Sequence, residues 1–188
     1  MKNINLTLKI ERAISELRRG GKVVISDPNS GTSVLLVAAE LIDKETVTKL
    51  SEFALSRPNI ILSNNRCNAI GLQIADQPCS ILIDKKWTMN DILSLCMPLT
   101  GHKIPTINGV VAESSKSIIS YSLLILRQSR LLPAGLMSII SNIAPEKINQ
   151  WAFKNNFIHV DVNDIKYYEQ HRAETLTIAV RAKVPIAE

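Results

Sequence analysis

The stretch SIISYSLLILRQSRLLPAGLMSII, residues 117–140, constrains the fold of this 188-residue chain more than any other. It is the most hydrophobic segment, yet Arg127, Ser129 and Arg130 divide it ahead of Pro133. A run of that length exceeds an ordinary strand, and proline forbids one continuous helix. The pattern predicts a buried helix, a break at Pro133-Ala134-Gly135, and then a strand.

The rest of the chain alternates in the same way. Ile10, Ala13, Ile14 and Leu17 recur at helical spacing and form one apolar stripe, on a helix stopped by Gly20 and Gly21. KVVIS then reads as a buried strand and residues 34–37 as a second, with Ala38, Ala39 and Glu40 leading outward. Asp43 caps a helix over 44–56 whose inward face is Val47, Leu50 and Ala54. NIILS at 59–63 and SILID at 80–84 are short strands, separated by a helical turn closed by Gly71. Thr88 with Asp91 makes a capping-box start for a helix carrying Ile92, Leu93 and Cys96. Pro98, Gly101 and Pro105 interrupt the chain after that helix. Pro145 opens a short helix through Trp151 and Phe153, ended by Asn155 and Asn156. FIHVDV is a final strand, and Asn163 caps a terminal helix. Such alternation predicts an α/β fold of three layers, a mixed twisted sheet flanked by helices. Ile25, Leu36, Ile61, Leu124 and Ile158 are expected to be buried in it.

Composition narrows the function. With 46% hydrophobic and 21% charged residues, the chain can bury one core. Its net charge of +5 suits acidic ligands, but no run of like charge exceeds Lys85-Lys86 or Arg18-Arg19. An aromatic fraction of 4% offers few base-stacking platforms, so no nucleic-acid partner is expected. Cys67, Cys79 and Cys96 match neither a disulfide framework nor a metal knuckle and are read as reduced, packed thiols. No apolar run approaches the roughly 20 residues of a membrane span, and a soluble, cytoplasmic chain is expected.

Polar candidates for chemistry are few. His102 falls in a proline-flanked loop and is read as an exposed loop histidine, with a ligand role as the alternative; His159 on a strand and His171 in the charged terminal helix have no acidic or thiol partner at metal-binding spacing. Ser114 and Ser115 precede Lys116 without a recognisable base, and Lys22 after two glycines lacks the spacing of a phosphate loop. No catalytic, cofactor-binding or metal-binding residue is therefore assigned from the sequence.

Four stretches in order resemble the 3,4-dihydroxy-2-butanone 4-phosphate synthase family of riboflavin biosynthesis. They are residues 10–27, LLVAAE at 35–40, RCNAIGL at 66–72, and LLPAGLMSII at 131–140 with its sequel at 151–172. The resemblance implies that family's fold and a homodimer, since the family builds its sites across a subunit interface. It also implies a loss of chemistry. The family's loop D-D-x-D-R-E-N-E-G-D, whose carboxylates and arginine hold divalent metal and sugar phosphate, is here Asp27, Pro28, Asn29, Ser30, Gly31, Thr32, Ser33. The metal-binding histidine before the family's PAG falls on Ile118, and the glutamate on the strand after it falls on Ile139. The family's G-H-x-F-P-L motif is echoed weakly by GHKIP at 101–105.

The carboxyl end resembles the joint between the synthase domain and GTP cyclohydrolase II in two-domain riboflavin proteins, through Val160, Asp164, Ile165, Tyr168, Arg181 and Pro185. Residues 1–162 are therefore expected to form a degenerate synthase-like domain, with 163–188 a terminal helix and linker toward a cyclohydrolase domain in cis. The first half of that helix is expected to pack on the domain and its second half, from about Thr175, to be mobile or reoriented when the cyclohydrolase domain is missing. The resemblance implies a catalytically inactive dimerisation scaffold without a cofactor of its own, zinc belonging to the cyclohydrolase domain. Two alternatives are an active magnesium-dependent synthase acting on ribulose 5-phosphate and a small-ligand or nucleotide-binding module.

Overall fold

In the computed structural model, residues 2–72, 74, 76–98 and 101–174 are described. The first helix, α1 (Lys2–Arg18), buries the predicted stripe of Ile10, Ala13, Ile14 and Leu17. It ends where Gly20 takes a left-handed φ of +78° and donates to Leu17 O. The chain turns there into β1 (Val23–Asp27), which forms an antiparallel hairpin with β2 (Thr32–Ala38). β2 is longer than the expected strand, and Ala38 and Ala39 are fully buried rather than leading outward.

A 3-10 turn at Ala39–Leu41 leads to α2 (Lys44–Ala54), capped as expected by Asp43, whose carboxylate accepts from Thr46 N at 2.7 Å. β3 (Asn59–Leu62), α3 (Asn64–Ala69) and β4 (Cys79–Leu82) come next. The capping box of Thr88 and Asp91 opens α4 (Met89–Cys96), a device typically worth about 1 kcal/mol. β5 (Val111–Ala112), which no sequence signal announced, adds two residues to the edge beside β4.

The constraining segment divides where its charges and proline do. Ser117 caps α5 (Ile118–Gln128), Arg130 reverses the chain at φ +57°, and β6 (Ala134–Ile139) comes after it. A 3-10 turn at Pro145–Lys147 enters α6 (Ile148–Lys154), then β7 (Ile158–Asp161) and α7 (Val162–Glu174). The cap of α7 is Asp161, not Asn163. Its carboxylate accepts from the amides of Asn163 and Asp164 at 2.8 and 3.0 Å, and its own amide donates to Asp164 Oδ2 at 3.3 Å. An aspartate on the last strand residue reaches two of the four orphan amides of the first turn, which Asn163, already inside the helix, cannot do. Ile165 is buried and Tyr168 packs on the core, while Leu176, Ala179, Arg181, Pro185 and the expected mobile half lie outside the described residues.

The seven strands run in the order β5-β4-β3-β6-β2-β1-β7, antiparallel except for the parallel pair β1 and β7. One apolar cluster lies between this sheet and α2 and α4, the other between it and α1, α5 and α7. The fold is therefore a three-layer α/β arrangement. Ile25, Leu36 and Ile61 are buried as expected, whereas Leu124 and Ile158 are only half-buried. Leu124 faces a surface hollow on the outer side of α5, and Ile158 lies on an edge strand. No helix among the described residues is long and apolar enough to cross a membrane.

β6 is the centre of the sheet, and Gly135 explains why the break reads Pro-Ala-Gly. A Cβ there would meet Val37 O at 2.8 Å and Leu126 Cδ1 at 2.9 Å. Val37 O belongs to the neighbouring strand and cannot move aside without disturbing the ladder. Gly135→Ala should therefore destabilise the chain by about 2 kcal/mol in urea unfolding. A change within about 0.5 kcal/mol would mean that the close approach is not a constraint.

Candidate functional site

The positions that the resemblance marks for metal and phosphate carry one carboxylate, Asp27, and two alkyl side chains, Ile118 and Ile139. Residues 28–31 make a tight turn between β1 and β2, in which Gly31 takes φ +68° and donates to Asp27 O at 2.9 Å. Asp27 Oδ1 accepts from Asn29 N at 3.0 Å and Oδ2 from Ser30 Oγ at 2.9 Å. The remaining carboxylate is thus engaged in holding its own turn. Ile118, at the start of α5, packs into the cluster that contains Val34, Ile61 and Met137. Ile139 lies opposite Val34 and is 42% exposed. One turn-bound carboxylate and two alkyl groups do not fit a divalent metal, which takes oxygen ligands.

The cysteines are buried, and Cys67 Sγ lies 2.8 Å from Cys79 Sγ. Their shared hydrogen bond, and then burial, push the Cys79 thiol up, and burial pushes Cys96 up to about 12. The same hydrogen bond lowers Cys67, so only Cys79 and Cys96 are held as protonated, unreactive thiols. No group of three or more His, Cys, Asp or Glu among the described residues is placed to hold a metal ion.

The serines and two of the histidines behave as their sequence context suggests. Ser114 Oγ accepts from Lys116 N at 3.2 Å in the turn before α5, and Ser120 Oγ donates to Ser114 O. His171 stacks on Tyr167 within α7, with ring centroids 3.7 Å apart, and its Nδ1 lies 3.0 Å from Tyr167 O. His102 is exposed in its loop.

His159 is different. The parallel pairing of β1 and β7 brings it beside Ser26, with Nε2 2.8 Å from Ser26 Oγ, while Nδ1 lies 3.3 Å from Asn149 Oδ1 on α6. Burial first, and Lys9 second, lower its pKa from 6.5, against the opposing pull of Asp161 and Asp164. The ring is therefore kept neutral. Ser26 is only 8% exposed and does not line the neighbouring cleft, so the hydroxyl orients the imidazole rather than presenting a nucleophile. Lys9 on α1 and Asp164 on α7 complete the group, with Nζ and Oδ2 2.6 Å apart. Nothing local in the sequence announces this cluster; Ser26 and His159 are 133 positions apart.

A seven-stranded mixed sheet in this order, with α1, α5 and α7 on one face, is the 3,4-dihydroxy-2-butanone 4-phosphate synthase-like fold. Solved structures with it match at a probability of 1.00. A two-domain synthase of this kind, RibBX from A. baumannii, superposes with a TM-score of 0.67 at 16% identity, over 85% of this chain. The chain spans 57% of the length of RibBX. The Candida albicans synthase gives 0.65 at 18% identity, over 85% of this chain and 96% of its own. A synthase in complex with two magnesium ions gives 0.69 at 12% identity, over 89% and 99%. At such identities the likeness establishes the fold. No protein-family model matches the sequence, and no curated protein matches it.

Because His159 titrates below its unfolded value, its contribution to stability is complete above the unfolded pKa near 6.5 and is lost as pH falls toward the folded value. Between about pH 7 and pH 5, the melting temperature of the native chain should fall more steeply than that of His159→Gln. Parallel curves for the two proteins would show that the buried imidazole does not couple to folding.

Proposed function

We propose that this chain is a catalytically silent domain of the dihydroxybutanone phosphate synthase fold, serving riboflavin biosynthesis as a dimerisation scaffold for a GTP cyclohydrolase II domain in cis. The observation that carries this reading is the combination of an intact fold with Asp27 bound into its own turn and alkyl side chains at residues 118 and 139. Loss of a general acid or base alone typically costs about 10²- to 10⁴-fold in rate.

The dimer is supported by one face of the sheet. Helices α1, α5 and α7 cover it from β7 across to β3. Leu82 on β4 and Val111 on β5, beyond that cover, and Ile139 at the end of β6 project from the same face and are 51%, 58% and 42% exposed. Branched aliphatic side chains exposed on one sheet face, here beside Arg57, Asn59 and Asp84, suit an isologous contact, in which a second copy presents the same face. The position where the resemblance places a glutamate, residue 139, lies on this face, in keeping with a family that builds its sites across subunits. RibBX, a two-domain synthase only partly spanned by this chain, supports the association of the fold with a further domain.

The chain should be a dimer by light scattering at tens of micromolar, and Leu82→Arg should make it monomeric while leaving its circular dichroism unchanged. A native monomer at that concentration would contradict the scaffold reading. In a polypeptide carrying both domains, Leu82→Arg should also lower GTP cyclohydrolase II turnover in step with dimer loss. Undiminished turnover by the monomer would leave the scaffold without a role.

A further inference from the structure

The cleft on the outer edge of β7 lies apart from the positions the synthase resemblance marks. α1 and α6 both pack on β7, so the edge strand forms a floor between two helical walls around a space of about 450 Å³. Asn5, Lys9 and Arg12 contribute from α1, Asn149 and Phe153 from α6, and His159 from the floor. The amide of Asp161 is taken by Asp164, on the side away from β1. The two-residue alternation of a strand turns the His159 amide to that same outer side, which adds a donor to the floor.

One cation in this cleft is unpaired. Lys9 is paired with Asp164, but Arg12 is exposed and has no side-chain partner among the described residues. Asp161, whose charge also acts on His159, balances the remaining cation, so what the cleft offers an anion is the unpaired guanidinium of Arg12 itself. A planar guanidinium with its fork of donors unpaired suits a carboxylate or a phosphate ester. The opposite wall is aromatic. Phe157 is fixed by Phe53, edge-on at a centroid distance of 5.0 Å, and by Trp151 at 5.7 Å. Phe153 stands 82% exposed at the rim, which core packing does not explain.

We propose that this cleft binds a small planar aromatic anion, its ring against Phe153 and Phe157 and its carboxylate or phosphate ester on Arg12. The imidazole, held by Ser26 and Asn149, positions the polar floor and takes no part in chemistry. The site does not depend on whether the domain dimerises or is silent.

The test is amide chemical-shift titration of the whole chain with adenosine 5′-monophosphate and, separately, 1-naphthoate, with adenosine and inorganic phosphate as half-ligand controls. One or both aromatic anions should shift Lys9, Arg12, Phe153 and His159 saturably and bind more tightly than either control; which of them does so identifies the head group. Arg12→Gln and Phe153→Ala should each weaken that binding by about ten-fold or more. Both residues are exposed, so neither substitution removes core packing. The proposal is overturned if neither anion saturates, if the shifted amides lie elsewhere, or if binding survives both substitutions unchanged.

Discussion

The structure turns on the close approach of β6 to β2. β6 is paired on both sides, by β2 and β3, and contributes Leu136 to the apolar cluster on one face of the sheet and Met137 to the cluster on the other. The approach is possible because residue 135 has no side chain. Val37 O occupies the space a Cβ would need, and Leu126 of α5 settles beside it. One small residue thus sets strand spacing and helix seating together, and the layers on either side depend on that agreement.

Local features of the fold were legible in the sequence. The stripe of α1, the caps at Asp43 and Thr88, and the division of residues 117–140 each rest on neighbours within a turn or two, and each appears in the structure. Features that escaped the sequence depend on partners distant along the chain. β5 is two residues long and exists only through its pairing with Cys79 and Ser80. The half-exposure of Leu124 and Ile158 follows from the sheet order, which periodicity does not encode. The pairing of Ser26 with His159 needs β1 and β7 side by side, and Arg12 gains significance only when α1 and α6 flank the same edge. The cap of α7 was local and still misplaced, because two adjacent polar candidates compete and only the geometry of the strand end selects Asp161.

Two positions that the synthase resemblance marks for chemistry serve packing and turn closure here. Burying a charge at residue 118, among Val34, Ile61 and Met137, would be expensive without a partner, and isoleucine removes that cost while filling the space. Asp27 shows the same economy, since its two oxygens close a turn that the hairpin requires. Both residues thus serve the fold, one by packing and one by closing a turn.

Catalytic silence is tested most directly by magnesium-dependent conversion of ribulose 5-phosphate to 3,4-dihydroxy-2-butanone 4-phosphate by the purified chain at saturating substrate and metal. Product should form no faster than in the protein-free reaction, with no dependence on magnesium. Saturable, magnesium-dependent turnover that disappears in Asp27→Ala would contradict the silent-domain reading and return the loop at residues 27–33 to catalysis.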